Sequence, residues 1–331
     1  MKAIVCTKYG PPEVLQLKEV EKPTPKDNEV LIKIHATTVT MGDCEMRSLQ
    51  FSGILKILMR MGIGFRGPRK KFTIFGQELS GEIEEVGKQV KLFKKGDLIF
   101  ASTGFNFGTY AEYKCLSEDD TIVIKPKNLT FEEAAAVPTG GLEALHFIRK
   151  ADIKKGQTIL IRGASGSIGT FAIQLAKYYG AEITGIGNPL SLDVMKSIGA
   201  DKVIDYTKED FTQSGETHDI IFDVIGKCSF SNYLNLLNKK GIYLNANPKI
   251  SLINRDKNLA KKNNINYISG NMDDTEERIE QLNFLKKLLE EQTLKSIIDK
   301  RYSLEQMVEA HRYVETGQKV GNVVIKIEYN D

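Results

Sequence analysis

Hydrophobic and polar positions divide the 331-residue chain into two regimes. Up to about Lys125 the apolar residues come in short runs separated by turn residues: KAIVC, VLQLKEV, EVLIKIHATTV, SGEIEEVG, DLIFAS, TYAEYKC and TIVIK. Within 30–34 they alternate imperfectly with Lys33, as in a strand with one face in a core. Punctuation at Gly10-Pro11-Pro12, Lys22-Pro23 and Gly96-Asp97 predicts a compact barrel or sandwich of such strands. From Gly156 onward the rhythm changes: TILI and a helix over 167–179, EITGI and a helix over 189–198, KVIDY, DIIFDV and a helix over 229–238, GIYLN and a helix over 251–262, then INYIS. Six strands with helical crossovers predict a doubly wound parallel sheet, so the chain reads as α/β.

Between the regimes, Thr130 with Glu133 makes a capping box for a helix that is interrupted at Pro138. After Asp274 comes a helix with Ile279, Leu282, Leu285 and Leu289 on one stripe. Ser303 and Gln306 form a second capping box, Thr316-Gly317 gives a stop, and GNVVIKI reads as a final strand. That strand comes too late for the six-stranded sheet, which predicts a return to the first domain. The expected domains are 1–127, 128–290 and 291–331. One stretch breaks the β rhythm of the first: in 49–72, apolar Ile54, Leu55, Leu58, Met59 and Met61 interleave with Lys56 and Arg60, and Arg66, Arg69, Lys70 and Lys71 follow. It reads as an amphipathic helix packed on its own domain, as a lid, or as a membrane-surface helix.

Composition narrows the partners. Hydrophobic residues at 41% and charged residues at 27% are ordinary for a globular protein. With 46 basic against 43 acidic residues, the net +3 gives no general reason to expect nucleic acid. Cys6, Cys44, Cys115 and Cys228 form no C-x-x-C pair, and nothing at the N-terminus resembles a signal peptide, which points to a reducing cytoplasm. No run reaches the roughly 18 apolar residues of a spanning helix, so stable membrane insertion is not expected.

The stretch 158–169, TILIRGASGSIG, concentrates the chemistry. A buried strand, a turn carrying Gly163, Ala164, Ser165 and Gly166, and a helix start at Ser167, Ile168 and Gly169 give a G-x-x-G-x-x-G relative of the dinucleotide fingerprint. Glycines let the backbone approach a pyrophosphate, whose charge faces N–H groups at a helix N-terminus. A plain tight strand-to-helix turn is the other reading of the same glycines.

Longer motifs carry a resemblance. FGQELSGEIEEVGKQVKLFKKGD (75–97), AAAVPTGGLEALHFI (134–148), SIGADKVIDY (197–206) and GNVVI (321–325) resemble segments of the medium-chain dehydrogenase/reductase superfamily, over essentially the whole chain and closest to its zinc-free quinone oxidoreductase and zeta-crystallin branch, including the reticulon-4-interacting type. The resemblance implies a GroES-like β-barrel catalytic domain, a Rossmann domain and a C-terminal return. It puts Thr40, Gln77 and Ala136 where zinc-dependent relatives place ligands, and none of these is a competent ligand. The structural-zinc lobe is absent, and His35, His146, His218 and His311 show no ligand spacing, so no metal is expected.

No carboxylate stands at the end of the second Rossmann strand, where NAD-binding folds hold the ribose 2′-OH. Gly187, Asn188 and Ser191 are therefore expected to receive a 2′-phosphate, with Tyr206 matching a tyrosine near the adenosine phosphate, and the cofactor is expected to be NADPH. Turn and N-cap residues before the next helix are the other reading of Asn188 and Ser191. The resemblance places the nicotinamide among Thr139, Val224, Ile225 and Asn322. It makes Thr40 the candidate donor to a developing oxyanion, with Asp43 and Gln77 in the same cleft. Asp43 reads equally as a carboxylate holding a loop, and Glu45 replaces the family's tyrosine. The substrate is expected to be a quinone or α,β-unsaturated carbonyl, with 49–72 closing over it. The rivals are an enoyl-thioester reductase, a non-catalytic nucleotide-binding scaffold and a zinc alcohol dehydrogenase. Relatives usually pair through edge strands of the Rossmann sheet, which suggests a homodimer joined around Ile242 to Asn247.

Overall fold

The computed structural model describes residues 1–51, 53–226, 228–270 and 274–329; Ser52 and the side chain of Ile54, part of the apolar stripe named above, lie outside the described residues. Two compact units share the chain. Unit 1 comprises 1–139, 275–290 and 296–331, and unit 2 comprises 140–274 and 291–295. The sequence boundaries at 127/128 and 290/291 differ from this division, because residues 128–139 and 275–290 group with unit 1.

In unit 1, β1 (Lys2–Cys6) and β2 (Leu15–Glu19) form a two-stranded antiparallel ribbon. A seven-stranded sheet is built from β3 (Glu29–Val39), β4 (Glu78–Val86), β5 (Leu98–Ser102), β6 (Tyr113–Ser117) and β7 (Ile122–Ile124), with two strands from the C-terminal part. Long β3 is the organising element: it pairs with β4, β6 and the last strand of the chain. Val30, Ile32 and Ile34 from β3, Leu79 and Ile83 from β4, and Ile99 from β5 close one core, all fully buried. Two helices follow β3: α1 (Met41–Ser48) and α2 (Gly53–Ile63).

The Thr130/Glu133 capping box forms, with both reciprocal bonds, and opens the short α3 (Phe131–Ala135). Pro138 does not merely interrupt a helix; it is the first residue of α4 (Pro138–Ala151), a position whose N–H has no intrahelical partner to lose.

Unit 2 holds six parallel strands: β8 (Thr158–Arg162), β9 (Glu182–Gly187), β10 (Lys202–Asp205), β11 (His218–Asp223), β12 (Leu237–Asn245) and β13 (Asn266–Ser269). Their spatial order is β10-β9-β8-β11-β12-β13, the doubly wound dinucleotide-binding order. Crossovers use α5 (Ser167–Tyr178), α6 (Leu192–Ser197) and α7 (Ile253–Lys262). The helix expected over 229–238 is a 3₁₀ run, Phe230–Leu236. Its buried residues, Phe230, Tyr233 and Leu236, recur every third position, which matches three residues per turn rather than 3.6.

One expectation fails outright. Ile242 to Asn247 cannot supply an edge for pairing copies, because β12 bonds to β11 on one side and to β13 on the other; the edges of this sheet are β10 and β13.

The chain then gives unit 1 the helix α8 (Thr275–Glu290), whose Leu282, Leu285 and Leu289 are buried as the stripe implied. Next comes β14 (Ile298–Ser303), absent from the sequence reading because IDKRYS carries no apolar alternation. The Ser303/Gln306 capping box forms and leads into α9 (Met307–Glu315). The final strand β15 (Asn322–Lys326) lies antiparallel to β3, completing the return to the first domain. Among the described residues no helix is long and apolar enough to cross a membrane.

Candidate functional site

In unit 2 the site grows from the end of β8. Gly163 takes φ of +80°, where L side chains are strained. Gly169 is needed for packing: a Cβ there would lie 2.2 Å from the Gly163 carbonyl oxygen, so α5 can approach β8 this closely only with glycine. Gly166 is different, since its nearest neighbour to an added Cβ is 3.6 Å away and nothing in the protein demands glycine. It is the N-cap of α5 and carries no side-chain cap, so the helix start presents backbone N–H groups and the positive end of its dipole on an open face. An anionic pyrophosphate fits that cradle. Ser165, Ser167 and Ile168 are half-buried along it, and Ala164 is buried and bonded through its N–H to the Ile186 carbonyl.

At the end of β9 stand Gly187 and Asn188, with no carboxylate. Tyr206 follows the neighbouring strand β10, is 54% exposed, and donates its N–H to the Gly187 carbonyl at 3.2 Å, so these three residues come together. Ser191 turns inward: fully buried, its hydroxyl donates to the Asn188 carbonyl at 2.7 Å and shapes the turn.

Val224 and Ile225 follow β11 beside Gly163, whose added Cβ would meet Ile225 Cγ1 at 2.8 Å. Their turn is set by a residue the sequence reading missed. Asp223, fully buried, accepts the N–H groups of Ile225 (3.1 Å) and Gly226 (2.9 Å) on Oδ1, and the phenols of Tyr233 (2.9 Å) and Tyr243 (3.1 Å) on Oδ2. Arg162 Nη1 adds a charge partner at 3.4 Å. Burial and the neighbouring carboxylate push both phenols far above the usual tyrosine range, so they remain donors.

Unit 1 brings Thr40, Asp43 and Gln77 into one network. Thr40 is the N-cap of α1: its hydroxyl accepts the Asp43 N–H at 3.1 Å and donates to Asp43 Oδ2 at 2.6 Å, while its N–H donates to the same oxygen at 2.9 Å. Gln77 Nε2 reaches Asp43 Oδ1 at 3.5 Å. The Thr40 proton is thus committed to Asp43, and Asp43 is a capping residue as well as a member of the cluster. Asp43 is fully buried; burial raises its pKa against the donors around it.

Next to Gln77, Glu78 is buried too, with Thr38 donating its hydroxyl and Thr139 its N–H (2.6 Å). Burial lifts this carboxyl to about 7, and the Asp43 charge adds to the rise. Lys319 donates to the Gly321 carbonyl at 2.6 Å, and burial lowers its pKa to about 8 against the attraction of Glu78, Asp299 and Cys44. Tyr110, wholly buried, has its pKa raised well above 10 by burial and by the Asp43 charge. Asn322 is buried and spends its side-chain N–H on the Ile297 carbonyl at 3.1 Å. Of the residues assigned to the nicotinamide, Thr139 and Asn322 belong to unit 1, Val224 and Ile225 to unit 2.

The sequence reading missed Glu78, Tyr110 and Lys319. The signal for Glu78 was its place within the quoted 75–97 motif; Tyr110 and Lys319 carried none. Ala136, aligned with a zinc ligand, is fully buried in an apolar cluster with Ala36, Ala135 and Val324. Among the described residues no three His, Cys, Asp or Glu side chains come together as metal ligands.

A six-stranded doubly wound sheet with a glycine cradle, joined in one chain to a β-rich unit carrying a buried acid and hydroxyl network, defines a two-domain nucleotide-dependent oxidoreductase. Two family descriptions match: "Alcohol dehydrogenase GroES-like domain" over residues 26–127 and "Zinc-binding dehydrogenase" over 198–325. Human quinone oxidoreductase is 31% identical, over 95% of this chain and 94% of its own length. An NADPH-dependent alkenal/one oxidoreductase of Arabidopsis thaliana chloroplasts is 32% identical, over 69% of this chain and 58% of its own length. The solved quinone oxidoreductase of Coxiella burnetii superposes with a TM-score of 0.87 at 31% identity, over 99% of both chains. This chain belongs to the quinone oxidoreductase branch of the medium-chain dehydrogenase/reductase superfamily.

Proposed function

We propose that this protein is an NADPH-dependent reductase of quinones or α,β-unsaturated carbonyls. The observation that carries the reading is the pair of functional surfaces: a glycine cradle with no carboxylate at the end of β9, and a cluster of hydroxyl, amide and buried carboxyl groups whose pKa values burial raises. Gly163, Ala164, Ser165, Gly166, Ser167, Ile168 and Gly169 hold the pyrophosphate, while Gly187, Asn188 and Tyr206 surround the adenosine 2′-phosphate. Ser191 holds that turn from within. Thr139, Val224, Ile225 and Asn322 orient the nicotinamide, which supplies a hydride from C4 when NADPH is bound.

Hydroxyl, amide and methyl groups at 40, 77 and 136 are no ligand set for catalytic zinc, which takes Cys, His or carboxylate donors. This donor set suits substrates that spread the developing negative charge through their own π-system and need only orientation and hydrogen bonds. Protonation of Asp43, which its burial favours, relieves Thr40 of its acceptor and makes that hydroxyl available to an oxyanion; Gln77 has a second N–H to offer.

A panel assay tests the reading: oxidation of NADPH and NADH with o-quinones, 2-alkenals and crotonyl thioesters in the presence of a chelator. NADPH-dependent turnover of quinones or alkenals is the expected result. Faster turnover of the thioester would select an enoyl-thioester reductase, and binding without turnover would select a scaffold. Asn188→Asp places a carboxylate beside the proposed phosphate and is expected to lower the NADPH-to-NADH preference about tenfold, roughly 1.4 kcal/mol.

A further inference from the structure

The helix α2 and the turn after it carry an exposed apolar surface. At about 100° per residue, its side chains fall into three sectors. Met59 and Ile63 project toward the unit 1 core and pack in the cluster that contains Phe75 and Phe107. Ile57, Leu58 and Met61 share an arc of about 100° on another side and are 57%, 54% and 55% exposed. Phe65, just beyond the helix, is 64% exposed. A helix apolar on nearly all sides belongs inside a protein or against an apolar medium, yet this one is covered on a single side.

Basic residues accompany the uncovered apolar arc along the chain. The chain is nearly balanced, with 46 basic and 43 acidic residues, but it has no Asp or Glu from Met46 to Gln77. Within that span Lys56, Arg66, Arg69, Lys70 and Lys71 are exposed and Arg60 is half-buried, and no ion pair among the described residues uses any of the six. The presentation is fixed. Arg69 donates from Nη2 to the Met61 carbonyl at 2.8 Å and from its N–H to the Ile63 carbonyl at 2.7 Å, and the Tyr9 hydroxyl donates to the Gly64 carbonyl at 2.8 Å. The turn itself admits only glycine at 67, where an added Cβ would lie 2.1 Å from the Thr7 carbonyl oxygen.

We propose that Ile57, Leu58, Met61 and Phe65, with the basic residues around them, form a docking surface for an anionic lipid bilayer. The apolar side chains stand out from a convex helix, which suits the headgroup–acyl boundary of a membrane, and the cations meet anionic headgroups. The chain then rides on the surface without spanning it. The assignment does not rest on the proposed reaction.

Flotation of the full chain with phosphatidylcholine vesicles, with and without phosphatidylserine, tests it. The protein is expected to float with the phosphatidylserine vesicles and to be released as salt is raised. Replacing Lys70 and Lys71 by Ala is expected to weaken partitioning about fivefold for each lysine. The triple variant Ile57→Ser, Leu58→Ser, Met61→Ser is expected to lose binding at least about tenfold with an unchanged melting temperature, because the three side chains are already in water. The single variant Ile57→Ser, with a smaller loss in the same direction, guards against misfolding of the triple one. Failure of the unaltered chain to float with anionic vesicles would overturn the proposal. So would undiminished flotation of the serine variants, or a rise in KM for a water-soluble quinone with vesicle binding intact, which would make α2 a cover over the substrate.

Discussion

Asp223 in unit 2 and the Asp43–Glu78 pair in unit 1 are all buried carboxylates, but their surroundings differ in kind. Asp223 has a guanidinium, two phenols and two backbone N–H groups around it. Glu78 has one hydroxyl and one N–H, and Asp43 has threonine and glutamine donors; the two also repel each other. Burial therefore wins in unit 1, and both acids are pushed toward the protonated form. The carboxylate ringed by five donors builds a turn, whereas burial lifts the Glu78 carboxyl to about 7 and raises Asp43 as well.

The largest effect is expected from removing the well-satisfied acid. Asp223→Ala leaves Arg162, two phenols and the Ile225 and Gly226 N–H groups without their acceptor, and is expected to cost about 3–5 kcal/mol of stability in urea unfolding. NADPH affinity should fall with it, since the Val224–Ile225 turn loses its support. An unchanged unfolding midpoint would erase the distinction between the two regions.

Glu78→Gln sharpens the comparison from the other side. The folded protein keeps the Glu78 proton up to about pH 7, whereas the unfolded chain releases it near 4.5. Its stabilising contribution is complete below about pH 4.5 and is lost as pH rises through about 7. The variant should flatten the fall in stability across this window, which thermal melts at a series of pH values will show.

The smallest effect is expected at Thr40. Thr40→Val removes the cap of α1 and should cost about 1 kcal/mol of stability. If the hydroxyl also serves the oxyanion, kcat should fall at least about tenfold with NADPH affinity unchanged. A loss of stability alone would make Thr40 a cap and nothing more.

How much of this was legible in the sequence follows from the range of the interactions. The glycine cradle was readable because its strand, turn and helix are contiguous and each has its own local pattern. Capping at Thr130 and at Ser303 was readable for the same reason. Asp223 was not, because its cation Arg162 lies 61 residues away and its phenols follow at 10 and 20 residues, distances at which only the folded sheet brings side chains together. Thr40, Asp43 and Gln77 were chosen from motif resemblance and do meet. That the Thr40 proton is already spent on Asp43 is a matter of geometry no motif contains. The edge expectation at Ile242 to Asn247 fails because INYIS supplies β13, which covers that side of β12, and no local pattern in the sequence shows which strand it will pair with.

The position of β15 has a consequence for synthesis. β3 lies between β4 and β15, and β15, its partner along Ala36–Val39, is made only after the whole of unit 2. Unit 2 has all of its residues by position 295, well before that partner exists. Until then the nascent chain carries an open strand margin at Ala36–Val39, beyond the stretch that β6 pairs, a template for pairing with other chains, so premature termination before residue 322 should yield aggregates rather than a smaller folded protein.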